Sequence, residues 1–261
     1  MHRPIAVFDA GIGSYAVVAE IRNRLPHQDI IYFADRASFP YGGKSRAELI
    51  QVMRRTIDYL SSFNPCAIVI ASNAPSIMVL EELSQDIHLP LFGVYPPLRE
   101  AWGLSHSGQV GIMGVQSLVE SPMIGEFVAE HSAYSDRVAL INASPMVELV
   151  ESGAFLFAPE KTQAAVDVFL AQVFAKYPEI DVLTLSSTHL PWLRRFFENA
   201  RPQCHFLDPA KDMVSRIGQG TKGQGKIRAL VTEDERYDLA TFRKMLSAIG
   251  VDIPLEPVRP Y

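Results

Sequence analysis

The chain has 261 residues, 48% of them hydrophobic and 20% charged, so it can bury the core of one large domain or two modest ones and is not disordered. It carries 24 Lys and Arg against 29 Asp and Glu, a formal net charge of −5. This balance argues against a dedicated nucleic-acid or membrane-surface protein, because either needs a basic face to meet phosphates. Cys66 and Cys204 are the only cysteines, which argues against a disulfide framework and a structural zinc site.

The amino-terminal sequence enters an apolar run at residue 5 and lacks the long apolar stretch and small-residue cleavage site of a signal peptide. No stretch approaches the ~18 uninterrupted apolar residues that a membrane-spanning helix needs. The sequence therefore predicts a cytoplasmic protein without a membrane partner.

Short apolar runs alternate with amphipathic helical patterns almost from end to end. Such runs, buried on both faces and separated by helices, are typical of βαβ units in a parallel sheet. Their number fits two smaller sheets better than one long sheet. The predicted strands cover residues 5–9, 30–33, 67–71, 91–94, 109–113, 138–141, 182–185, 205–208 and 226–231.

The clearest predicted helix begins after Ser45, with Glu48 three residues on completing a capping box. Its apolar face carries Leu49, Met53, Ile57 and Leu60. Near the carboxyl terminus, the glycine-rich residues 218–225 predict an exposed loop.

Two segments far apart in the chain repeat one pattern. Residues 71–75 (ASNAP) and 186–191 (SSTHLP) each follow a predicted strand, bring a serine and a neighbouring polar residue, and lead into a helix. Ligands bind at such carboxyl ends of strands in open α/β sheets, although a serine there is also a common helix cap. The repetition favours two similar domains that place Ser72 and Ser187 on one shared cleft.

These segments resemble glutamate racemases of the aspartate/glutamate racemase family. Residues 5–14 (IAVFDAGIGS) are similar to the family's VFDSGVGG opening, and residues 30–45 (IIYFADRASFPYGGKS) to its YFGDTxxxPYGxKS segment. ASNAP stands where the family has ACNTA, and SSTHLP where it has GCTHYP. The resemblance continues through residues 110–117, 145–153 and 206–210, so it covers nearly the whole chain.

The resemblance implies an α/β fold of two flavodoxin-like, doubly wound parallel-sheet domains with a pseudo-symmetric active site between them. With the strand pattern and the repeated turns, it predicts a first domain of residues 1–95 plus 209–261 and a second of residues 96–208. It implies racemisation of a small acidic amino acid without a cofactor, supplying a D-amino acid for cell-wall peptidoglycan. A homodimer is the assembly that we expect.

The family reaction takes the α-proton from one face of the substrate and returns a proton to the other. The family uses two cysteines, because a thiol with a pKa near ~8.5 can give up and regain a proton. Both cysteine positions are serine in this chain, Ser72 and Ser187. A serine hydroxyl is hardly ionised at neutral pH without a strong base beside it, so activity is in doubt.

The predicted site combines residues of four segments. Read on the family pattern, the candidates for catalysis are Ser72, Ser187, Asp9 and His189. The candidates for substrate binding are Asp9, Ala10, Tyr41, Gly42, Asn73, Ala74, Thr188 and His189. The histidines show no metal-ligand spacing, so no metal is expected. Gly11 and Gly13 lack the rest of a dinucleotide fingerprint.

Three functions stay open at the level of sequence. The first is a racemase-like enzyme, and the second is a non-catalytic protein that keeps the cleft and binds an acidic amino acid. The third is a hydrolase with a serine nucleophile and His189 as its base, although the chain has no GxSxG elbow.

Overall fold

The computed structural model describes residues 2–217, 223–233 and 238–260. All nine predicted strands form there, each within one residue of its expected bounds, and a tenth follows near the carboxyl terminus. The strands are β1 (Ile5–Asp9), β2 (Ile30–Ala34), β3 (Ala67–Ile70), β4 (Leu91–Gly93), β5 (Val110–Gly114), β6 (Val138–Asn142), β7 (Val182–Leu185), β8 (His205–Leu207), β9 (Ile227–Val231) and β10 (Leu255–Pro257).

Helices connect most of these strands. They are α1 (Tyr15–Arg24), α2 (Arg46–Ser61), α3 (Asn73–Met78), α4 (Leu80–Asp86), α5 (Leu98–Leu104), α6 (Gln116–Val119), α7 (Pro122–His131), α8 (Ser144–Glu151), α9 (Ala154–Phe157), α10 (Pro159–Lys176), α11 (Arg194–Ala200), α12 (Ala210–Ile217) and α13 (Leu239–Ala248). Short 3₁₀ turns cover Ile12–Ser14, Arg36–Ser38, Tyr41–Gly43, Ser135–Arg137 and Leu190–Leu193.

The strands form two all-parallel sheets. The first has the order β10-β9-β2-β1-β3-β4 and the second β6-β5-β7-β8. Numbered within each domain, both contain the order 2-1-3-4 of a flavodoxin-like sheet, which confirms the predicted α/β class. The connections reverse direction between β1 and β3 in one sheet and between β5 and β7 in the other, and ligands bind at such switch points.

Each strand joins one sheet only: those of residues 5–93 and 227–257 the first, those of residues 110–207 the second. This membership supports the proposed division into residues 1–95 plus 209–261 and residues 96–208, which stays a prediction. The two sheets are not separate in packing. One apolar cluster runs from Ile5 and Val7 of β1 through Val150 of α8 to Leu183 of β7, so helices between the sheets share one core.

Helix α2 forms as its sequence predicts. Ser45 is its N-cap, and the Ser45 side chain and the Glu48 side chain each accept from the other's backbone N–H. The apolar face of α2 is buried against the outer side of the first sheet. Capping and periodicity thus act together to fix where this helix starts and how it lies.

Strand β10 is absent from the prediction. Leu255–Pro257 pairs in parallel with β9 at the edge of the first sheet. Proline ends this three-residue strand, and a proline in a short segment reads as a turn unless the strand is known to lie at an edge. Of the loop predicted over residues 218–225, residues 218–222 lie outside the described part of the chain. In the described part, no helix combines the length and the apolar character that crossing a bilayer requires.

Candidate functional site

Asp9 is the last residue of β1, at the switch point of the first sheet, and its side chain is buried. Its Oδ2 accepts a hydrogen bond of 3.2 Å from Thr188 Oγ1, which follows β7 in the second sheet. Burial raises the pKa of Asp9 to about 6, although the electrostatic interaction with His189 lowers it in part. The carboxyl ends of the two sheets therefore meet at Asp9.

Ser72 and Ser187 hold equivalent places, since each follows the third strand of a 2-1-3-4 order. Ser72 is half-buried at the start of α3, but its side chain does not cap that helix. Ser187 is buried, and its Oγ lies 3.4 Å from His189 Nδ1. Neither serine thus has the capping role that its sequence context allowed. That the two hydroxyls face each other across a cleft stays a prediction.

Asn73 and Ala74 lie beside Ser72 and are buried. Asn73 Nδ2 donates to the Val94 carbonyl at 3.1 Å, while its Oδ1 is buried without a hydrogen-bond partner. Ala74 packs in one apolar cluster with Leu118 of α6. The turn that carries Ser72 thus contacts the second domain, with an unused acceptor on Asn73.

Tyr41 and Gly42, two of the candidates for substrate binding, lie in the short turn Tyr41–Gly43 after β2. Tyr41 is buried, and its hydroxyl donates to Asp35 Oδ2 at 3.3 Å. A methyl group on Gly42 would lie 3.2 Å from Ser117 Oγ, because α6 of the second domain packs against this turn. Gly42 therefore allows the turn to approach the other domain closely.

Ala10, buried directly after Asp9, leads into the Gly11–Gly13 pair. A methyl group on Gly11 would overlap the Glu151 carboxylate and lie 2.5 Å from His189 Nε2. One on Gly13 would lie 2.7 Å from the His189 backbone nitrogen. The glycines thus let β1's turn meet the second domain, and they serve this approach rather than a dinucleotide.

Glu151, at the end of α8, is the central group that sequence reasoning missed. Its Oε1 accepts from the Ile12 backbone N–H at 2.8 Å and lies 2.6 Å from His189 Nε2. Its Oε2 accepts from Arg36 Nη1 at 2.7 Å, and both side chains of this ion pair are buried. Glu151 therefore ties the first domain, through Ile12 and Arg36, to the second.

The ionisation of Glu151 follows from these partners. Burial alone raises its pKa, but the hydrogen bond and charge of His189 and the charge of Arg36 outweigh burial and lower the pKa to about 2. The carboxylate is therefore ionised at neutral pH. As an acceptor at both oxygens, it requires the proton of His189 to be on Nε2.

Four residues of this region are absent from the prediction: Glu151, Arg36, Asp35 and Ser117. An acid among Met146, Val147 and Val150, the buried side of α8, was the available signal for Glu151. Arg36 and Asp35 follow β2 directly. Two charged residues in succession at a buried strand end are as unusual as a buried acid on α8.

Neither cysteine of the chain lies at the two serine turns. Cys66 lies just before β3, at the opposite end of that strand from Ser72, so about 20 Å of extended chain separates the two. Burial raises the pKa of Cys204 to about 12, which keeps its thiol protonated. Among the described residues, no group of three or more His, Cys, Asp and Glu side chains could hold a metal ion.

We expect Glu151→Gln to destabilise the protein by about 3 kcal/mol, because it removes the buried carboxylate that pairs with the Arg36 guanidinium. Urea unfolding at pH 7 measures the change. Glu148→Gln, on the exposed side of the same helix, is the matched control and should stay within ~0.5 kcal/mol of the parent. Equal effects of the two substitutions would contradict the assigned role.

Asp9→Asn should alter how stability depends on pH. Because the folded pKa of Asp9 is about 6 and its ordinary value is 3.8, the folded state binds more protons between these values, and stability falls as pH rises from 4 to 6. Asparagine removes this loss. The difference in free energy of unfolding, variant minus parent, should grow by about 2 kcal/mol from pH 4 to pH 7. A difference that stays flat with pH would disprove the shift.

Comparisons with known proteins give this geometry its context. No model of a protein family matches the chain. A glutamate racemase of Persephonella marina is 30% identical over 97% of this chain and 95% of its own length. The structure of a Bacillus anthracis glutamate racemase shares the fold, with a TM-score of 0.86 and 22% identity over 99% of this chain and 98% of its own. A Thermus thermophilus glutamate racemase, in complex with β-chloro-D-alanine, is 27% identical with a TM-score of 0.80, over 98% and 96% of the two chains. Identity at this level over nearly the full length of both proteins shows that the chain belongs to the glutamate racemase family.

Proposed function

We propose that this chain binds a small acidic amino acid, glutamate first, where the carboxyl ends of its two sheets meet, and that it racemises this ligand poorly or not at all. The observation that carries the proposal is the pair of serines, Ser72 and Ser187, at the two equivalent turns. The names of its relatives support glutamate as the ligand, and the β-chloro-D-alanine bound by the Thermus thermophilus protein supports an amino acid.

Poor racemisation follows from the chemistry of the hydroxyl group. Stereoinversion needs a group on each face that is a base before proton transfer and an acid after it. A serine hydroxyl ionises far less readily than a thiol, and among the described residues no basic side chain hydrogen-bonds the hydroxyl of Ser72. At least one face of the ligand would therefore lack a proton carrier.

Ligand binding is supported by buried polar atoms that lack partners. Asn73 Oδ1 and Ser117 Oγ are both buried without a hydrogen bond, on helices α3 and α6 that pack together. Leaving such groups unpaired costs about 1–3 kcal/mol each, a cost that a polar ligand would offset. The buried Asp9 and Thr188 add a negative charge and a hydroxyl nearby, which suit the ammonium and carboxylate of an amino acid.

A protein that binds an acidic amino acid with little or no racemase activity is therefore the proposal, and hydrolysis stays an alternative that uses Ser187 and His189. A cytoplasmic location, the absence of a cofactor and a homodimer stay predictions of the sequence. A serine-directed fluorophosphonate tests the alternative, since labelling of Ser187 would favour it.

Ser117→Ala should weaken glutamate binding about 10-fold or more, because the variant loses a hydrogen bond to a charged ligand. Isothermal titration calorimetry measures the dissociation constant. Thr162→Val is the matched control, since Thr162 Oγ1 is likewise buried without a partner but lies on α10. The control should bind glutamate as the parent does, and a similar loss in both variants would contradict a ligand contact at Ser117.

The central test compares binding with stereoinversion. We expect calorimetry to detect glutamate binding, while loss of optical activity from L- or D-glutamate is about 10²-fold or more slower than for the double variant Ser72→Cys/Ser187→Cys. Ser76→Cys, a third serine near the same turn, controls for adding a thiol. Rapid inversion by the parent chain would overturn the claim of poor racemisation. Absence of binding of any acidic amino acid would overturn the claim of ligand binding.

A further inference from the structure

The two serines differ in what stands behind them. Within the described part of the chain, the Ser72 hydroxyl makes no hydrogen bond. The next residue, Asn73, has a side chain that does not titrate. Ser187 Oγ lies 3.4 Å from His189 Nδ1, and both residues are buried. The same hydroxyl group therefore stands in two different environments, one with a base and one without.

The Ser187 side continues beyond the imidazole. His189 Nε2 lies 2.6 Å from Glu151 Oε1, whose other oxygen accepts from Arg36 Nη1 at 2.7 Å. The Glu151 carboxylate accepts a hydrogen bond from the Nε2–H group of His189. In a neutral imidazole, Nδ1 then carries the lone pair and accepts a hydrogen bond from the Ser187 hydroxyl. The distance of 3.4 Å is long for such a bond, and hydrogen bonds of this kind often shorten when a ligand is bound.

This asymmetry carries a consequence for chemistry. We propose that the chain exchanges the α-proton of one enantiomer of its acidic amino acid with solvent and retains the configuration, with Ser187 and His189 as the proton carriers. The inference rests on the proposed function, since it requires that the ligand lies between the two serine turns.

The step balances without any further reactant. The α-carbon–hydrogen bond breaks and its proton goes to Ser187 Oγ, while the hydroxyl's own proton moves to His189 Nδ1. The electron pair stays on the ligand as a carbanion conjugated with its carboxylate, and the imidazolium is paired with the Glu151 carboxylate. While the carbanion is held, the proton on Ser187 Oγ exchanges for a deuteron of the solvent. Oγ then returns this deuteron to the same face of the α-carbon, as Nδ1 gives its proton back to the oxygen.

Inversion fails because the other face lacks such a relay. Protonation from the Ser72 side would need a donor there, and in the described part of the chain no acidic or basic side chain hydrogen-bonds the Ser72 hydroxyl. Asp9 is the remaining titratable group near both turns, with Oδ2 engaged by Thr188. An Asp9 base would give a different pattern among variants, so the two assignments can be separated.

The test incubates the chain with L-glutamate and, separately, with D-glutamate in heavy water, and follows the Cα–H signal by proton NMR with chiral chromatography of the product. We expect deuterium in one enantiomer only, with its configuration kept. Ser187→Ala and His189→Gln should slow this exchange by about 10²-fold or more. Ser186→Ala is the matched control, because Ser186 Oγ bonds Thr184 Oγ1 and not His189. It should stay within about 2-fold of the parent.

Two thiol variants turn the same asymmetry into a gain of activity. Ser72→Cys supplies the missing carrier opposite an intact relay, so it should racemise glutamate, whereas Ser187→Cys leaves the Ser72 face unchanged and should not. Equal racemisation by the two variants, or equal exchange of both enantiomers by the parent, would overturn the inference.

The remaining outcomes separate the inference from the function beneath it. Glutamate binding by calorimetry with no exchange of either enantiomer overturns the inference and leaves the binding proposal standing. Absence of binding overturns both. Exchange that survives in His189→Gln and disappears in Asp9→Asn would move the base to Asp9. Ser187→Ala removes one hydroxyl and no charge, so it keeps the test decisive if His189→Gln folds poorly.

Discussion

The buried carboxylate of Glu151 is the interaction on which the site depends. It belongs to α8 of the second sheet's domain, and it is met by the Ile12 N–H and the Arg36 guanidinium from the first. Desolvating such a pair costs about as much as the attraction returns, so the pair adds less to stability than to position. Its value is that one carboxylate holds segments of both domains and one imidazole in register. Gly11 and Gly13 complete the constraint, because any side chain there would separate the parts.

Much of the fold follows from the sequence because strand burial and strand pattern coincide. β1, β2, β3, β5 and β7 are buried along their whole length, so a continuous apolar run is a sufficient signal for each. The capping box of Ser45 and Glu48 is equally local. β10 has no such apolar run. It becomes a strand because it pairs with β9 at the edge of the sheet, and a segment of three residues does not show this pairing in its sequence.

The residues of the site likewise fall into those that the sequence locates and those that it does not. Asp9 ends its strand, and Ser72, Thr188 and His189 lie within four residues after theirs, so the strand ends in the sequence locate all four. Glu151 and Arg36 do not carry a motif, and their partners are 115 and 139 residues away in sequence. A single chain shows only that a charge interrupts an apolar face, and the partner that makes this tolerable is known only from the fold. The resemblance to the family covered the segment of Glu151 without indicating its role.

Topological symmetry of two sheets does not bring chemical symmetry to two turns. Both serines follow the third strand of a 2-1-3-4 order, yet Ser187 is followed after one residue by His189, and Ser72 by Asn73 and Ala74. A pair of thiols conceals this difference, because each thiol can carry a proton by itself. When both groups are hydroxyls, proton transfer at each face depends on the side chains beside the serine. Under the proposal, the imidazole of His189 then decides which face exchanges a proton. With a serine at each turn, the proposed site is one-sided, and binding and proton removal in it do not imply inversion.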